Sequence, residues 1–255
     1  MKRFIGLLQF MTRIPIKADL GFDEEFHKSI VYFPLVGLII GLISFIIGNL
    51  SIMIFDPFVT SILIVAGEVI LTGGLHIDGL GDTFDAIYSN RDKERMLEIM
   101  KDSRLGTNSL LAILFLILIK VGLLNSIINS NLMYFIIFMP MVSRLAVLVM
   151  LYKTVTPRKV GMGNIFIGKA TKSMCIIATI YTVLILVFNS KFLFLASTLN
   201  IIKLLLSILA VVIFNYLFKG HIYKKIDGVT GDILGCTIEL GELIFLLCAY
   251  IVIVI

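Results

Sequence analysis

The chain has 255 residues, of which 59% are hydrophobic and only 15% are charged, and its mean hydropathy is +1.05. A soluble domain of this length does not carry so much apolar side chain, so the composition excludes a water-soluble globular protein. The basic residues behind the net charge of +5 lie in loops between apolar runs, a pattern that argues against nucleic-acid binding. The three cysteines are isolated and indicate neither a disulfide framework nor a CxxC metal site.

Seven apolar runs of helical length predict an all-α, polytopic integral membrane protein with one domain, residues 1–255. The first 33 residues combine basic and apolar side chains, which is typical of a cytoplasmic or interfacial entry segment. The predicted membrane-spanning helices are 34–50, 58–75, 107–128, 132–152, 173–188, 192–218 and 233–254.

The loops on one side of these helices carry nearly all of the basic residues. Of the 22 Lys and Arg residues, 5, 5, 5 and 3 fall in segments 1–33, 76–106, 153–172 and 219–232, whereas Lys191 alone falls in a loop on the other side. Because basic loops stay in the cytoplasm, the sequence predicts a protein of the cytoplasmic membrane with a cytoplasmic N-terminus and an external C-terminus. Every polar motif then faces the cytoplasm.

The longest polar segment begins with LTGGLHIDGLGDTFD at residues 71–85, directly after the second apolar run. On a helix, Asp78, Asp82 and Asp85 fall within an arc of about 60°. Three carboxylates on so narrow a face repel one another unless a cation lies in front of them, and Mg²⁺ prefers carboxylate and phosphate oxygens. Nearby glycines such as Gly79 let a bulky ligand approach the backbone. The alternative interpretation is a solvated acidic helix start.

A second acidic segment, GVTGD at 228–232, precedes the last apolar run. Glu239 lies two helical turns after Asp232, near the same helix face, and Glu242 follows inside the same run. Unpaired carboxylates at membrane depth are costly, so they either pair with a base on a neighbouring helix or share a cation site with the first segment.

Six basic residues on this side of the membrane are candidates for phosphate binding, namely Arg104, Arg144, Arg158, Lys159, Lys224 and Lys225. Metal-holding carboxylates beside such bases are typical of phosphoryl or nucleotidyl transfer. Arg144 lies within an apolar run, where loop topology does not explain it. We therefore expect it to line one cavity with both acidic segments.

These residues belong to longer pieces that resemble the cobalamin synthase family, the adenosylcobinamide-GDP ribazoletransferases. The pieces are FMTRIPI at 10–16, YFPLVGLIIG at 32–41, LTGGLHIDGLGDTFDA at 71–86, KDSRLG at 101–106, Arg158 with GMG at 161–163, and GVTGDILGCTIELGE at 228–242. Asp227 stands where the family usually has glycine, so we rank it below Asp232.

The resemblance implies transfer of the adenosylcobinamide-phosphate group from adenosylcobinamide-GDP to α-ribazole or its 5′-phosphate, the last step of cobalamin biosynthesis, with release of GMP. It implies Mg²⁺ as the cofactor. The expected site residues are Asp82, Asp85 and Arg144 for catalysis; Arg104, Arg158, Gly79, Gly231 and Lys225 for substrate binding; and Asp78, Asp82, Asp85, Asp232 and Glu239 for the metal.

Two other functions stay open at this stage. A CDP-alcohol-type phosphotransferase of phospholipid synthesis would use comparable chemistry, but the chain lacks that family's DGxxAR pattern. A cation-coupled transporter would also bury carboxylates. The expected partners are the corrinoid nucleotide, α-ribazole and the lipid bilayer, with no nucleic acid. A homo-oligomer or an association with other corrinoid enzymes is left open.

Overall fold

The computed structural model describes residues 1–21 and 23–254, and this part of the chain is helical without a β-strand. Two 3₁₀ segments, Phe26–Tyr32 and Met162–Ile165, and a π-helical turn after α8 complete it. The α-helices are α1 (Lys2–Met11), α2 (Phe33–Ser51), α3 (Pro57–Thr72), α4 (Leu75–Ile87), α5 (Lys93–Ile99), α6 (Thr107–Asn129), α7 (Phe135–Leu151), α8 (Lys172–Phe188), α9 (Thr198–Ile226) and α10 (Gly231–Val254).

Five helical segments in the described part of the chain are long and apolar enough to span a membrane: Phe26–Ser51, Thr107–Asn129, Lys172–Leu193, Thr198–Ile226 and Gly231–Ile251. The pair α3 and α4 would add a sixth if it is one span bent by 91°. The all-α prediction is confirmed, and by length and composition these helices support five or six of the seven predicted spans. The difference arises because α3 and α7, which we counted as full spans, have only 16 and 17 residues.

Helix α7 forms the centre of the bundle. All of its side chains except that of Val149 are buried, and α2, α8, α9 and α10 pack around it. A helix that is apolar on every face needs neighbours on every side, and the continuous run FIIFMPMVSRLAVLVML meets that condition. The buried Arg144 therefore lies at the core of the protein and away from lipid.

A sharp turn at Gly73 and Gly74 sets the direction of α4. Both residues adopt left-handed backbone conformations, with φ of +62° and +74°, which glycine takes without a steric penalty. The backbone N–H of Arg13 donates to the carbonyl of Leu71, which ties the segment after α1 to this turn. As a result, α4 leaves α3 at 91° and carries the first acidic segment across one end of the bundle.

Candidate active site

Helix α4, the start of α10 and two loops, 100–106 and 158–164, enclose a cleft with two cavities that share Asp78. The polar cavity, of about 280 Å³, is lined by Asp78, Asp82, Met100, Lys101, Asp102, Ser103, Arg104, Leu105, Ser109 and Ile113. The apolar cavity, of about 370 Å³, is lined by Phe10, Met11, Phe33, Leu75, His76, Asp78, Arg158, Gly161, Met162, Gly163, Asn164, Phe166, Gly231, Asp232, Leu234, Gly235 and Ile238. Asp78 and Asp82 of α4 and Asp232 of α10 thus meet in one cleft.

The close packing of α4 on α10 brings the two acidic segments together. A methyl group added at Gly79 would lie 2.6 Å from the backbone oxygen of Asp232, so only glycine permits this approach. Asp78 is exposed and Asp82 is half-buried. Burial, reinforced by the charges of Asp78 and Asp232, raises the pKa of Asp82 to about 7. Carboxylates this close are electrostatically unfavourable without a compensating cation.

Arg158 faces the same carboxylates. Its Nη1 lies 2.7 Å from Oδ2 of Asp232, and only 12% of its side chain is exposed. Its Nε and Nη2 atoms are buried and have no hydrogen-bond partner among the described residues. Unsatisfied buried donors on a charged group are costly, and a phosphate oxygen would satisfy them.

Arg104 lies at the open side of the polar cavity, where 86% of its side chain is exposed. Its guanidinium donates to the carboxylate of Asp102, and this pairing lowers the pKa of Asp102 to about 2. An exposed ion pair contributes little to stability. Arg104 can therefore exchange Asp102 for a phosphate group at little cost.

Asp85 is engaged in a structural contact. Its Oδ2 accepts a hydrogen bond from the backbone N–H of Gly106 at 2.8 Å, and its Oδ1 accepts one from Ser109 at 2.9 Å. These contacts cap the start of α6 and fix the loop that carries Arg104. Both oxygens of this predicted metal ligand are thus occupied by backbone donors.

The remaining predicted binding residues differ in position. Gly231 lines the apolar cavity and packs against Gly163, where an added methyl group would lie 2.7 Å from the Gly231 Cα atom. Gly79 serves the contact between α4 and α10 described above. The residues that line the two cavities do not include Lys225.

A second group of charged residues lies in the interior of the bundle. Lys120 Nζ lies 3.2 Å from Glu68, 3.5 Å from Glu239 and 2.7 Å from Glu242, and Arg144 Nη1 lies 2.9 Å from Glu242. All of these side chains are at least 90% buried. We call this group the buried ionic cluster: Glu68, Lys120, Arg144, Glu239 and Glu242.

The buried ionic cluster corrects the expectation for Arg144 and Glu239. Both line a small internal cavity of about 10 Å³ together with Lys120, and neither lines the cleft cavities. That volume holds about one water molecule and no phosphate group. The buried guanidinium of Arg144 does pair with an anion, as expected. That anion is Glu242 in the interior, and not a substrate phosphate or a carboxylate of the cleft.

The cleft matches the donor chemistry of Mg²⁺, although the protein alone does not form a metal cage. In the described part of the chain, no group of three or more His, Cys, Asp and Glu side chains is arranged to hold a metal ion. Mg²⁺ is usually bound by one or two carboxylates together with waters and substrate phosphates. Asp78, Asp82 and Asp232 supply carboxylates of this kind beside two cavities that can hold a ligand.

The sequence did not single out Lys120, and it indicated His76 only as a possible base. Three carboxylates inside apolar runs, at Glu68, Glu239 and Glu242, require a cation at similar depth, and this requirement could have identified Lys120. His76 lines the apolar cavity, is 3% exposed, and its Nε2 has no partner among the described residues. The position of His76 in the cavity depends on the turn at Gly73 and Gly74, whose direction the sequence pattern does not specify.

Comparisons with known proteins agree over nearly the whole chain. The family model described as Cobalamin-5-phosphate synthase matches residues 3–250. The adenosylcobinamide-GDP ribazoletransferase of Clostridioides difficile (strain 630) is 64% identical over 253 residues, covering 99% of this chain and 98% of that protein. The protein of the same name from Alkaliphilus metalliredigens (strain QYMF) is 44% identical over 247 residues, covering 97% and 94%. No solved structure matches the chain.

Proposed function

Because the chain belongs to the Cobalamin-5-phosphate synthase family, we propose that the cleft between α4 and α10 is its active site. The enzyme is an adenosylcobinamide-GDP ribazoletransferase, which completes cobalamin synthesis. One observation supports the location above all. Arg158 lines the apolar cavity beside Asp78 and Asp232, and its Nε and Nη2 atoms are buried without a hydrogen-bond partner among the described residues. Because the chain is 64% identical to a ribazoletransferase over nearly its full length, we set aside the phospholipid-synthase and transporter alternatives.

The reaction transfers one substituted phosphate group. A ribose hydroxyl of α-ribazole, or of its 5′-phosphate, attacks the cobinamide-side phosphorus of the pyrophosphate. The bond from the ribose oxygen to that phosphorus forms, and the bond from the phosphorus to the bridging oxygen breaks. GMP leaves with the bridging oxygen and its electron pair, and the hydroxyl proton passes to a carboxylate of the enzyme.

Within this proposal, Arg158 binds the pyrophosphate through its free Nε and Nη2 atoms. Asp232 fixes the guanidinium by its contact with Nη1, so the remaining donors are oriented before the substrate arrives. Arg104 adds a second positive charge from the open side of the cleft. Together the two arginines stabilise the negative charge that builds up on the phosphate oxygens.

We assign proton acceptance to Asp82. The sequence left Asp82 and Asp85 as equal candidates, but both oxygens of Asp85 already accept backbone hydrogen bonds. Asp82 lines the polar cavity and has no such engagement among the described residues. Asp85 then acts as a positioning residue for the 101–106 loop.

Mg²⁺ is the proposed cofactor, and Asp78 together with Asp82 or Asp232 would hold it along with waters and substrate phosphates. When bound, it would neutralise charge on the pyrophosphate and so favour departure of GMP. This assignment predicts that GMP release by purified protein in lipid vesicles stops in EDTA and returns with added Mg²⁺.

A matched pair of variants tests the metal ligands. Asp78→Asn should raise the Mg²⁺ concentration needed for half-maximal GMP release by about tenfold or more, because one ligand charge is lost. Asp227→Asn, which alters an exposed carboxylate paired with Lys93, should leave that concentration unchanged. Equal behaviour of the two variants would contradict the assignment of Asp78.

The proposed orientation places the cleft on the cytoplasmic side of the cell membrane. In this proposal the chain forms a single domain of residues 1–255 that crosses the membrane seven times. The five long helices and the shorter helices α3 and α7 are the crossings. The loops that form the cleft are among those that carry 18 of the 22 basic residues, which supports the cytoplasmic assignment. Reporter fusions after Lys191 and after Ile255 should both report the external side. A cytoplasmic signal after Ile255 would contradict a count of seven crossings.

A further inference from the structure

The two cavities of the cleft differ in size and lining, and the reaction requires two substrates of different character. The polar cavity is lined by Arg104 and Lys101, whereas the lining of the apolar cavity includes Phe10 and Met11 of α1 together with Phe33 and Phe166. Both reach Asp78. Two substrates that each entered one cavity would therefore meet where the acidic residues lie.

We propose that the apolar cavity binds the α-ribazole substrate, with its benzimidazole base against Phe10, Phe33 and Phe166. This inference rests on the proposed active site and assigns one substrate to one side of it. A corrin macrocycle with its amide side chains is far too large for either cavity, at 370 and 280 Å³, so the adenosylcobinamide part of the other substrate stays outside the cleft, with its pyrophosphate reaching in from the exposed Arg104.

The inner wall of the apolar cavity suits a flat, methylated aromatic base. Phe166 forms edge contacts with Phe10 and Phe33, at ring-centroid distances of 5.5 and 5.3 Å. Met11 and Ile238 extend this wall with aliphatic surface. Dimethylbenzimidazole presents two methyl groups and one acceptor nitrogen, so its transfer from water to such a wall is favourable.

The guanine base of the other substrate fits this wall less well. Guanine carries an amino group, a carbonyl and a ring N–H that each need a hydrogen-bond partner after burial. Apart from the groups proposed to bind phosphate or metal, the polar side chains among the described residues of this lining are those of His76 and Asn164. The side-chain amide of Asn164 already donates to the carbonyl of Arg158. His76 offers one buried, unpartnered nitrogen, which matches the single ring acceptor of a benzimidazole.

Gly161 allows the cavity to be narrowed without disturbing the fold. Its φ of 168° is ordinary extended backbone, and an added Cβ would meet only Asn164 Oδ1, at 3.5 Å. We expect Gly161→Val to raise the KM for α-ribazole about tenfold or more, because a small steric change in an apolar pocket has effects of this size. The KM for adenosylcobinamide-GDP should change less than twofold. Gly220→Val is the matched control, since an added Cβ there has no neighbour within 4 Å and lies outside both cavities.

A second variant tests the same assignment by gain of function. Met11 is 3% exposed and lines the apolar cavity, so Met11→Ala enlarges the space beside the aromatic wall. We expect the ratio of kcat/KM for the α-riboside of naphthimidazole to that for α-ribazole to rise about tenfold. This ratio is measured on the folded fraction and is independent of any loss of protein.

The outcomes distinguish the substrate assignment from the active-site proposal. A rise in the KM for adenosylcobinamide-GDP alone in Gly161→Val would overturn the assignment and place the nucleotide in the apolar cavity. Unchanged constants for both substrates in Gly161→Val and Met11→Ala would also overturn it. If Asp78→Asn and Asp82→Asn were fully active as well, the cleft itself would be excluded as the active site.

Discussion

The cleft and the buried ionic cluster contain the same kinds of side chain under opposite conditions. In the cluster, Lys120 and Arg144 contact three carboxylates around a space for about one water molecule. In the cleft, carboxylates line two ligand-sized cavities, and Arg158 keeps two donors without a partner among the described residues. Buried charges that pair with one another connect helices. Charged groups that lack a partner beside a cavity indicate where a ligand of opposite charge binds.

Removing the positive charge of Lys120 should disrupt the buried ionic cluster. This change should have the largest effect of those predicted here, and the effect should be on stability. Lys120→Met leaves three buried carboxyl groups to share Arg144, and loss of one partner from a buried ion pair costs about 3–5 kcal/mol. Thermal unfolding in detergent should show a large drop in Tm. Lys191→Met, at an exposed site, is the control. An unchanged Tm for Lys120→Met would mean that the cluster does not hold the bundle together.

Arg158→Lys tests the unsatisfied donors of the cleft and should have the next largest effect. Lysine keeps the positive charge but loses the planar fork, so the phosphate loses at least one charge-assisted hydrogen bond. We expect kcat/KM for adenosylcobinamide-GDP to fall about 10- to 100-fold, the equivalent of about 1.5–3 kcal/mol. Arg95→Lys, which alters an exposed arginine paired with Glu98, should have no effect. Wild-type kinetics in Arg158→Lys would remove Arg158 from phosphate binding.

Asp85 borders the cleft but already accepts backbone hydrogen bonds through both oxygens, so its variants should have the smallest effects. Asp85→Ala removes the cap of α6 and should cost about 0.5–2 kcal/mol of stability. Asp85→Asn should recover much of that loss, because its carbonyl oxygen still accepts one backbone hydrogen bond. Turnover should follow stability in both variants. A loss of turnover in Asp85→Asn as large as that in Asp82→Asn would instead support Asp85 as a metal ligand.

Much of the fold could be predicted because membrane helices are encoded locally. Apolar runs of the right length identify α2, α6 and α10 within a few residues. The predicted spans failed where length alone was misleading. The second run was extended to residue 75, but Gly73 and Gly74 take left-handed conformations and end α3 at Thr72. The sixth was placed at 192–218, whereas a π-helical turn occupies Asn189–Leu193 and α9 begins at Thr198.

For the candidate site, the sequence predicted some of the residues that belong to it better than it predicted where they lie. Helical spacing grouped Asp78 with Asp82, and both line the polar cavity. Gly79 was expected to let a ligand approach the backbone, but the backbone of Asp232 occupies that space. Helical spacing also placed Asp85 on the same arc, but the start of α6 lies beside it and takes both oxygens. Arg144 and Glu239 were predicted on the same side of the membrane as the cleft residues, yet both side chains lie in the interior of the bundle. Depth within the bundle depends on helix packing, which sequence periodicity does not specify.

The most direct test compares Asp82→Asn with Glu239→Gln, one isosteric neutralisation in each region. GMP release from adenosylcobinamide-GDP and α-ribazole is measured in lipid vesicles with Mg²⁺ and normalised to the amount of folded protein. The account predicts that Asp82→Asn lowers kcat by about 10²-fold or more, as removal of an electrostatic catalytic group does, while Glu239→Gln keeps kcat within a few-fold of wild type. Near-normal turnover in Asp82→Asn together with a large loss in Glu239→Gln would place the chemistry in the buried ionic cluster and contradict the account.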